Sequence, residues 1–203
     1  MRASSQRLAL FLGLAAFLAI GSFVTPRPRD LPDGGGNYQA LLEAISPTSG
    51  ALARVGGAPP PFTLPTATGG PTSGQFRMGP LIGHNPVVIL FWATWCVPCQ
   101  QELPFYETLY QRHREAGLRV VGISMDNATT ITRVGPTARR LGVTFDIVTD
   151  LDTRITTQLN PRRSAPLSIW VNREGRITWE REGYSPAEQE TVSAGINTLV
   201  TGH

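Results

Sequence analysis

The sequence predicts an α/β domain built on a strand–helix–strand unit, followed by an antiparallel hairpin and a closing helix. Three observations carry that expectation. Val87-Val88-Ile89-Leu90-Phe91-Trp92 is an unbroken apolar run of strand length, as in a strand covered on both faces. A second stretch that reads as a buried strand, residues 118–124, follows a helical stretch over 98–116 that Gly117 stops, so strand, helix and strand form a parallel unit with a right-handed crossover. Residues 168–171 and 176–179 then flank Asn172-Arg173-Glu174-Gly175, a turn signal between two short strands.

The remaining elements follow in chain order. Residues 8–24 are apolar or small and uncharged, with Arg2 and Arg7 ahead of them, the layout of a signal peptide or an uncleaved signal anchor. As a helix they would span about 26 Å, slightly less than a hydrocarbon core of about 30 Å. Ala19-Ile20-Gly21 also offers a small-x-small cleavage site, so anchor and cleaved peptide both stay open. Residues 25–59 are rich in proline and glycine and read as a flexible spacer, with a short helix at 38–45. The folded domain is expected over 60–203, opening with Phe62-Thr63-Leu64 as an edge strand. After the second buried strand, 137–141 reads as helix, 143–148 alternates like a strand and 152–159 reads as a short helix. That stretch is an insertion between the first half and the hairpin. Residues 186–200 form the closing helix.

Composition narrows the chemistry. With 203 residues and 41% hydrophobic content the chain allows one domain plus appendages. All 18 basic residues are arginine, which excludes a lysine Schiff base, a phosphate-loop lysine and a lysine general base. The net charge is +3, but without residues 1–24 sixteen arginines face fifteen acids, leaving +1. Such a balance gives no electrostatic footprint for nucleic acid.

Cys96 and Cys99 are the only cysteines, two residues apart just after the first apolar run. A stapled secreted scaffold would need several more, and a structural zinc site would need two further ligands from His84, His113 and His203. Half a metal site and a pair of reduced core thiols remain as alternatives. A bridge over so short a loop removes little freedom from the denatured chain, so its value lies in opening and closing. Pro98 suits a first helical turn, which puts the pair at a strand-to-helix junction. There the unpaired N–H groups and the positive end of the helix dipole favour the thiolate of Cys96. Cys96 is therefore the expected nucleophile. Cys99, about one turn further in, is shielded and placed to attack the mixed disulfide that Cys96 forms.

The stretch Phe91-Trp92-Ala93-Thr94-Trp95-Cys96-Val97-Pro98-Cys99-Gln100-Gln101-Glu102-Leu103-Pro104 resembles the thioredoxin superfamily, and more closely its exported TlpA/ResA-like thiol-disulfide oxidoreductases. It is similar in its tryptophan, its Cys-x-Pro-Cys, a glutamate three residues on and a proline two after that. Ala58-Pro59-Pro60-Pro61-Phe62-Thr63-Leu64-Pro65 resembles the family's entry strand, and Val171-Asn172-Arg173-Glu174-Gly175-Arg176-Ile177 its hairpin. The resemblance covers roughly residues 60–200. It implies a thioredoxin-like three-layer fold with a central mixed sheet, an N-terminal entry strand and an insertion between the βαβ and ββα halves.

The same resemblance implies a cis proline facing the cysteines, and the matching residue is Pro166. The exposed backbone of Ala165 would pair with a substrate chain as an added strand. Ser164-Ala165-Pro166-Leu167-Ser168 departs from the family in lacking a β-branched residue before the proline and a threonine after it. Glu102 is implied as a third site residue that modulates the cysteines' proton equilibria, a partly buried carboxylate able to accept the proton of Cys99. The alternative is a first-turn glutamate placed by the helix dipole alone. Trp95, Val97 and Pro98 are the expected substrate contacts. Trp92 reads as core, Pro104 as a kink, and His84 and His113 as ordinary polar residues.

The implied activity is disulfide reduction in exported proteins, for example in cytochrome c maturation, with no cofactor and no metal. The protein would face the periplasm, anchored in the inner membrane by residues 8–24 or released after cleavage, and a membrane thiol donor of transporter type would reduce it again. Two alternatives belong to other classes. A peroxiredoxin-like peroxidase would carry threonine three residues before the reactive cysteine, where this chain has Ala93. A copper chaperone would space its cysteines by three and add a later histidine, whereas only His113 and terminal His203 follow here.

Overall fold

Every residue of the apolar run Val87–Trp92 is buried, and the surrounding chain is arranged to cover both of its faces. The computed structural model describes residues 55–68 and 70–202. The expected leader at 1–24, the spacer up to residue 54 and the helix at 38–45 lie outside the described residues. In chain order the elements are β1 (Thr63–Pro65), β2 (Gln75–Arg77), β3 (Val87–Trp92), α1 (Val97–His113), β4 (Arg119–Ser124), α2 (Val134–Arg140), β5 (Asp146–Thr149), α3 (Arg154–Leu159), β6 (Leu167–Val171), β7 (Ile177–Glu182) and α4 (Gln189–Thr201). The main sheet runs β5-β4-β3-β6-β7, with β3, β4 and β5 parallel and β6 and β7 antiparallel.

The period of two along β3 divides the core into two layers. Val88, Leu90 and Trp92 face Leu103, Tyr106 and Leu109 of α1, Ala138 of α2, and Ile196 and Leu199 of α4. Val87, Ile89 and Phe91 face the opposite way, onto Ile155 and Leu159 of α3 and onto Phe62, Leu64 and Phe76 around the small β1–β2 sheet. The result is the three-layer, thioredoxin-like α/β arrangement. Among the described residues, no helix is long and apolar enough to cross a membrane.

Several boundaries differ from the expectation for identifiable reasons. The strand expected over 143–148 begins only at Asp146, because the N–H of Val143 is bonded to the carbonyl of Ala138 (3.1 Å) and that of Thr144 to the Glu107 carboxylate (2.8 Å). It joins the sheet in parallel beside β4, so the insertion completes the sheet. Helix α2 starts three residues before the expected 137, since Pro136 falls in a first turn whose N–H groups have no intrahelical partner. Helix α3 starts at Arg154, capped from a distance by Asp150, which accepts from the N–H of Thr156 at 2.6 Å and its hydroxyl at 2.7 Å. Strand β7 runs on to Glu182, because an outer strand with solvent beside it accommodates charged side chains that read as loop in the sequence. Within the expected spacer, Gly56 and Gly57 pair with Ile177 at 2.7 and 2.8 Å.

Gly195 shows how tightly the helical layer is closed. A Cβ there would meet the Trp170 ring at 2.6 Å. That ring lies tilted against Trp179 with centroids 3.9 Å apart and donates its Nε1–H to the Tyr106 hydroxyl at 3.2 Å, so two partners hold it where it stands. Alanine would add about 1 kcal/mol of helix propensity, against an overpacking cost of about 1–3 kcal/mol. Gly195→Ala is expected to lower the unfolding free energy by up to about 2 kcal/mol in urea titrations; a more stable variant would show that the layer repacks freely.

Candidate functional site

At the end of β3 the chain turns through Ala93 to Trp95 and enters α1 at Cys96. Cys96 is the N-cap, with extended backbone angles (φ −87°, ψ 102°), and its sulfur accepts the N–H of Cys99 at 3.2 Å. Pro98 occupies the second helical position, where a missing N–H costs no intrahelical bond. The two cysteines are joined in a disulfide, with their Cα atoms 5.3 Å apart. Cys96 retains 4% exposure and Cys99 none, so an incoming thiol or disulfide meets Cys96 first. Around that opening Trp95 is 62% and Val97 67% exposed, beside exposed Pro98, which gives the redox sulfur an apolar rim.

The turn is clamped by residues that the sequence reading passed over. Asp126, buried just after β4, accepts the N–H of Thr94 at 2.9 Å, the hydroxyl of Thr94 at 2.5 Å and the hydroxyl of Ser124 at 2.8 Å. Gln100 of α1 donates to the Thr94 carbonyl at 2.9 Å, and its own oxygen accepts from Arg140 of α2 at 3.0 Å. The available signal was position: Met125 and Asp126 directly follow a parallel strand, at the carboxyl ends of the strands where functional groups gather.

Opposite the cysteines, the Ala165–Pro166 peptide is cis, the isomer that the resemblance implied. Leu167 pairs with Phe91, which puts Pro166 beside the end of β3. Asn160 braces the loop, donating to the Ser164 carbonyl at 2.8 Å and accepting the Ser164 N–H at 2.9 Å. Ala165 is partly buried against the core layer that contains both cysteines.

Cys99, Glu102 and Tyr106 succeed one another at helical spacing on the buried face of α1. The expected alternative of a first-turn glutamate held by the dipole does not hold: Glu102 is the sixth helical residue, in the second turn, and only 2% exposed. Its Oε2 has no hydrogen-bond partner. Burial pushes its carboxyl up to about 8, against the opposing pull of the Arg181 guanidinium. Tyr106 is also pushed up, by burial first and then by the neighbouring Glu102 charge. Trp92 is fully buried, as expected of a core residue. Helix α1 continues through Pro104. His84 is exposed, and His113 is lowered by partial burial and by Arg112. Among the described residues no group of three or more His, Cys, Asp or Glu is placed to hold a metal.

Fold and site together define a thioredoxin-like domain that carries a dithiol–disulfide pair. The AhpC/TSA family model matches residues 55–180, more than half of the chain, and the chain belongs to that family. The thiol-disulfide oxidoreductase ResA of Oceanobacillus iheyensis is 35% identical over 78 residues, covering 38% of this chain and 40% of that protein. ResA of Geobacillus kaustophilus is 29% identical over 128 residues, covering 57% of this chain and 71% of that protein. The match thus spans well under two thirds of the first relative's length. Among solved structures, a thiol:disulfide interchange protein of the thioredoxin family from Chlorobium tepidum superposes with a TM-score of 0.59 at 19% identity, covering 74% of this chain and 99% of that one, a likeness of fold.

The buried carboxyl couples stability to pH. A carboxyl whose pKa is raised on folding, here from 4.5 to about 8, keeps its proton in the native state while the unfolded chain loses it. The associated stability is fully present below pH 4.5 and declines as pH rises through about 8. Glu102→Gln is expected to abolish that decline, so that its stability advantage over the unmodified protein grows between pH 5 and 9 to at most about 5 kcal/mol. Parallel denaturant titrations across that range check this, and two curves of equal pH slope would contradict it.

Proposed function

We propose that this protein is a thiol-disulfide oxidoreductase that reduces disulfides in exported proteins. The observation that carries the reading is the asymmetry of the pair: Cys96 sits at the N-cap of α1 with a backbone N–H aimed at its sulfur, while Cys99 is wholly covered beneath it. In the reduced protein that N–H and the helix dipole stabilise the Cys96 thiolate. The thiolate attacks a partner disulfide, one partner sulfur leaves as thiolate, and a mixed disulfide forms. Cys99 then attacks the Cys96 sulfur, expels the second partner sulfur and closes the internal disulfide. Two electrons have passed to the partner.

Glu102 handles the proton of the covered sulfur. When Cys99 attacks, the Glu102 carboxylate takes its proton; when a donor dithiol reopens the disulfide, Cys99 leaves as a thiolate and the Glu102 carboxylic acid returns one. With its pKa near 8 the group serves either direction around neutral pH. Pro166 shapes the wall facing Cys96, Ala165 offers backbone to an extended partner segment, and Trp95, Val97 and Pro98 supply apolar contact. Export rests on residues 8–24, which would either anchor the domain in the inner membrane, facing the periplasm, or be cleaved away. A membrane thiol donor of transporter type would regenerate the dithiol. The sequence similarity to ResA proteins supports thiol–disulfide exchange; the reductive direction and, more finely, a place in cytochrome c maturation are what the resemblance of residues 91–104 implies.

Cys99→Ser removes the resolving sulfur and leaves the attacking one. The variant, reduced and presented with a disulfide-bearing protein, is expected to accumulate a covalent adduct through Cys96 that dithiothreitol releases, whereas Cys96→Ser accumulates none. Nonreducing gels with mass spectrometry of the linked peptide read the outcome. A folded Cys99→Ser protein that forms no adduct overturns the assigned roles.

A further inference from the structure

Glu102 faces a small polar cluster, most of whose other members the redox cycle does not use. Helix α1 itself contributes Cys99 and Tyr106. From the sheet side come Ser168 and Trp170 of β6, neither of them charged, and Arg181 of β7. Helix α4 turns apolar residues inward, among them Val192 and Ile196. Ser168 and Arg181 are direct partners across the β6–β7 ladder, so both side chains stand on the face that α1 covers. Within this layer the Glu102 Oε2 is buried without a hydrogen-bond partner, and Ser168 lies beside the Tyr106 hydroxyl. Arg181 is mostly covered, and its guanidinium is ion-paired outward with half-exposed Glu188, in the 3₁₀ turn Pro186–Glu188 that precedes α4. The arginine therefore lies between two carboxylates, one sealed inside and one at the surface.

We propose that Arg181 is a positioning residue that sets how readily Glu102 gives up and regains its proton, with Glu188 opposing it by drawing the guanidinium outward. The inference rests on the redox reading above and adds to it a means of adjustment remote from the sulfurs. A positive charge near a buried carboxyl favours its ionised form, and the effect falls off with distance and with competing partners. Arg181 is the charge that opposes the effect of burial on Glu102. A guanidinium held by Glu188 acts on Glu102 weakly; once released, it acts strongly. The chemical step is unchanged: a donor thiolate bonds to the Cys96 sulfur, the Cys96–Cys99 bond breaks, Cys99 leaves with the electron pair, and the Glu102 proton goes to it. Solvent then returns a proton to Glu102.

Opposed shifts test this. In the oxidised full chain, the Glu102 side-chain carboxyl carbon is followed by NMR through a pH titration. Arg181→Gln is expected to raise the midpoint by about one pH unit and Glu188→Gln to lower it. The double variant is expected to match Arg181→Gln alone, because Glu188 acts through the arginine. Arg181→Lys, which keeps the charge, is expected to stay near the original midpoint, and it carries the test with Glu188→Gln if Arg181→Gln does not fold. The pH at which dithiothreitol reduction is half-maximal should move in the same directions. Midpoints that move together, or that stay fixed in both single variants, overturn the proposal. A protein that shows the opposed shifts yet traps no partner through Cys96 would lose the redox assignment alone; one that traps partners without the shifts would lose this inference alone.

Discussion

The redox pair depends on a fixed angle between the end of β3 and the start of α1. Cys96 can receive the N–H of Cys99 only while the turn before it holds its shape, and that shape is fixed by one carboxylate. Asp126 ties both the backbone and the hydroxyl of Thr94 to the end of β4, and Gln100 ties the same residue to the first turn of the helix. A buried carboxylate is costly to desolvate unless its oxygens are occupied. Here three donors occupy them, two from the turn itself, so the cost of burial and the rigidity of the turn come from one arrangement.

Glu102 is the contrary case. It is as deeply buried, one of its oxygens has no partner, and the positive charge that acts on it, Arg181, is already shared with a surface acid. The outcome is a group that holds its proton near neutrality and so can exchange it with Cys99, one helical turn away. Two buried carboxylates within one site thus take opposite roles according to how many donors each has. Asp126 braces the turn because it is satisfied; Glu102, which is not, is the carboxyl that the proposed cycle employs.

Much of this was legible in the residues. The run Val87–Trp92 announced a strand buried on both faces, and the Cys96–Cys99 spacing after it announced the helix start, because apolar periodicity and capping are local properties. The cis Pro166 and the depth of Glu102 depend on which strand lies opposite, and the resemblance supplied the first where spacing could not. Asp126, Arg181 and Glu188 were not legible. Each is an ordinary charged residue until β4 is set beside β3, and β7 beside β6, in a particular register. The same holds for β5, where side-chain claims on the N–H groups of Val143 and Thr144 delayed a strand that alternation placed earlier.

The segment that enters the fold touches the sheet at both margins. Gly56 and Gly57 bond to Ile177 at the start of β7, and ten residues later Thr66 bridges to Val148 while Ala67 donates to Ile147 on β5. An open strand margin is a template on which further chains can polymerise. One short stretch thus occupies part of both margins, and Glu180, Arg181 and Glu182 place charge along the rest of β7, features that disfavour edge-to-edge pairing. Under the proposed function, an extended guest chain would then find its pairing at the loop of Ala165.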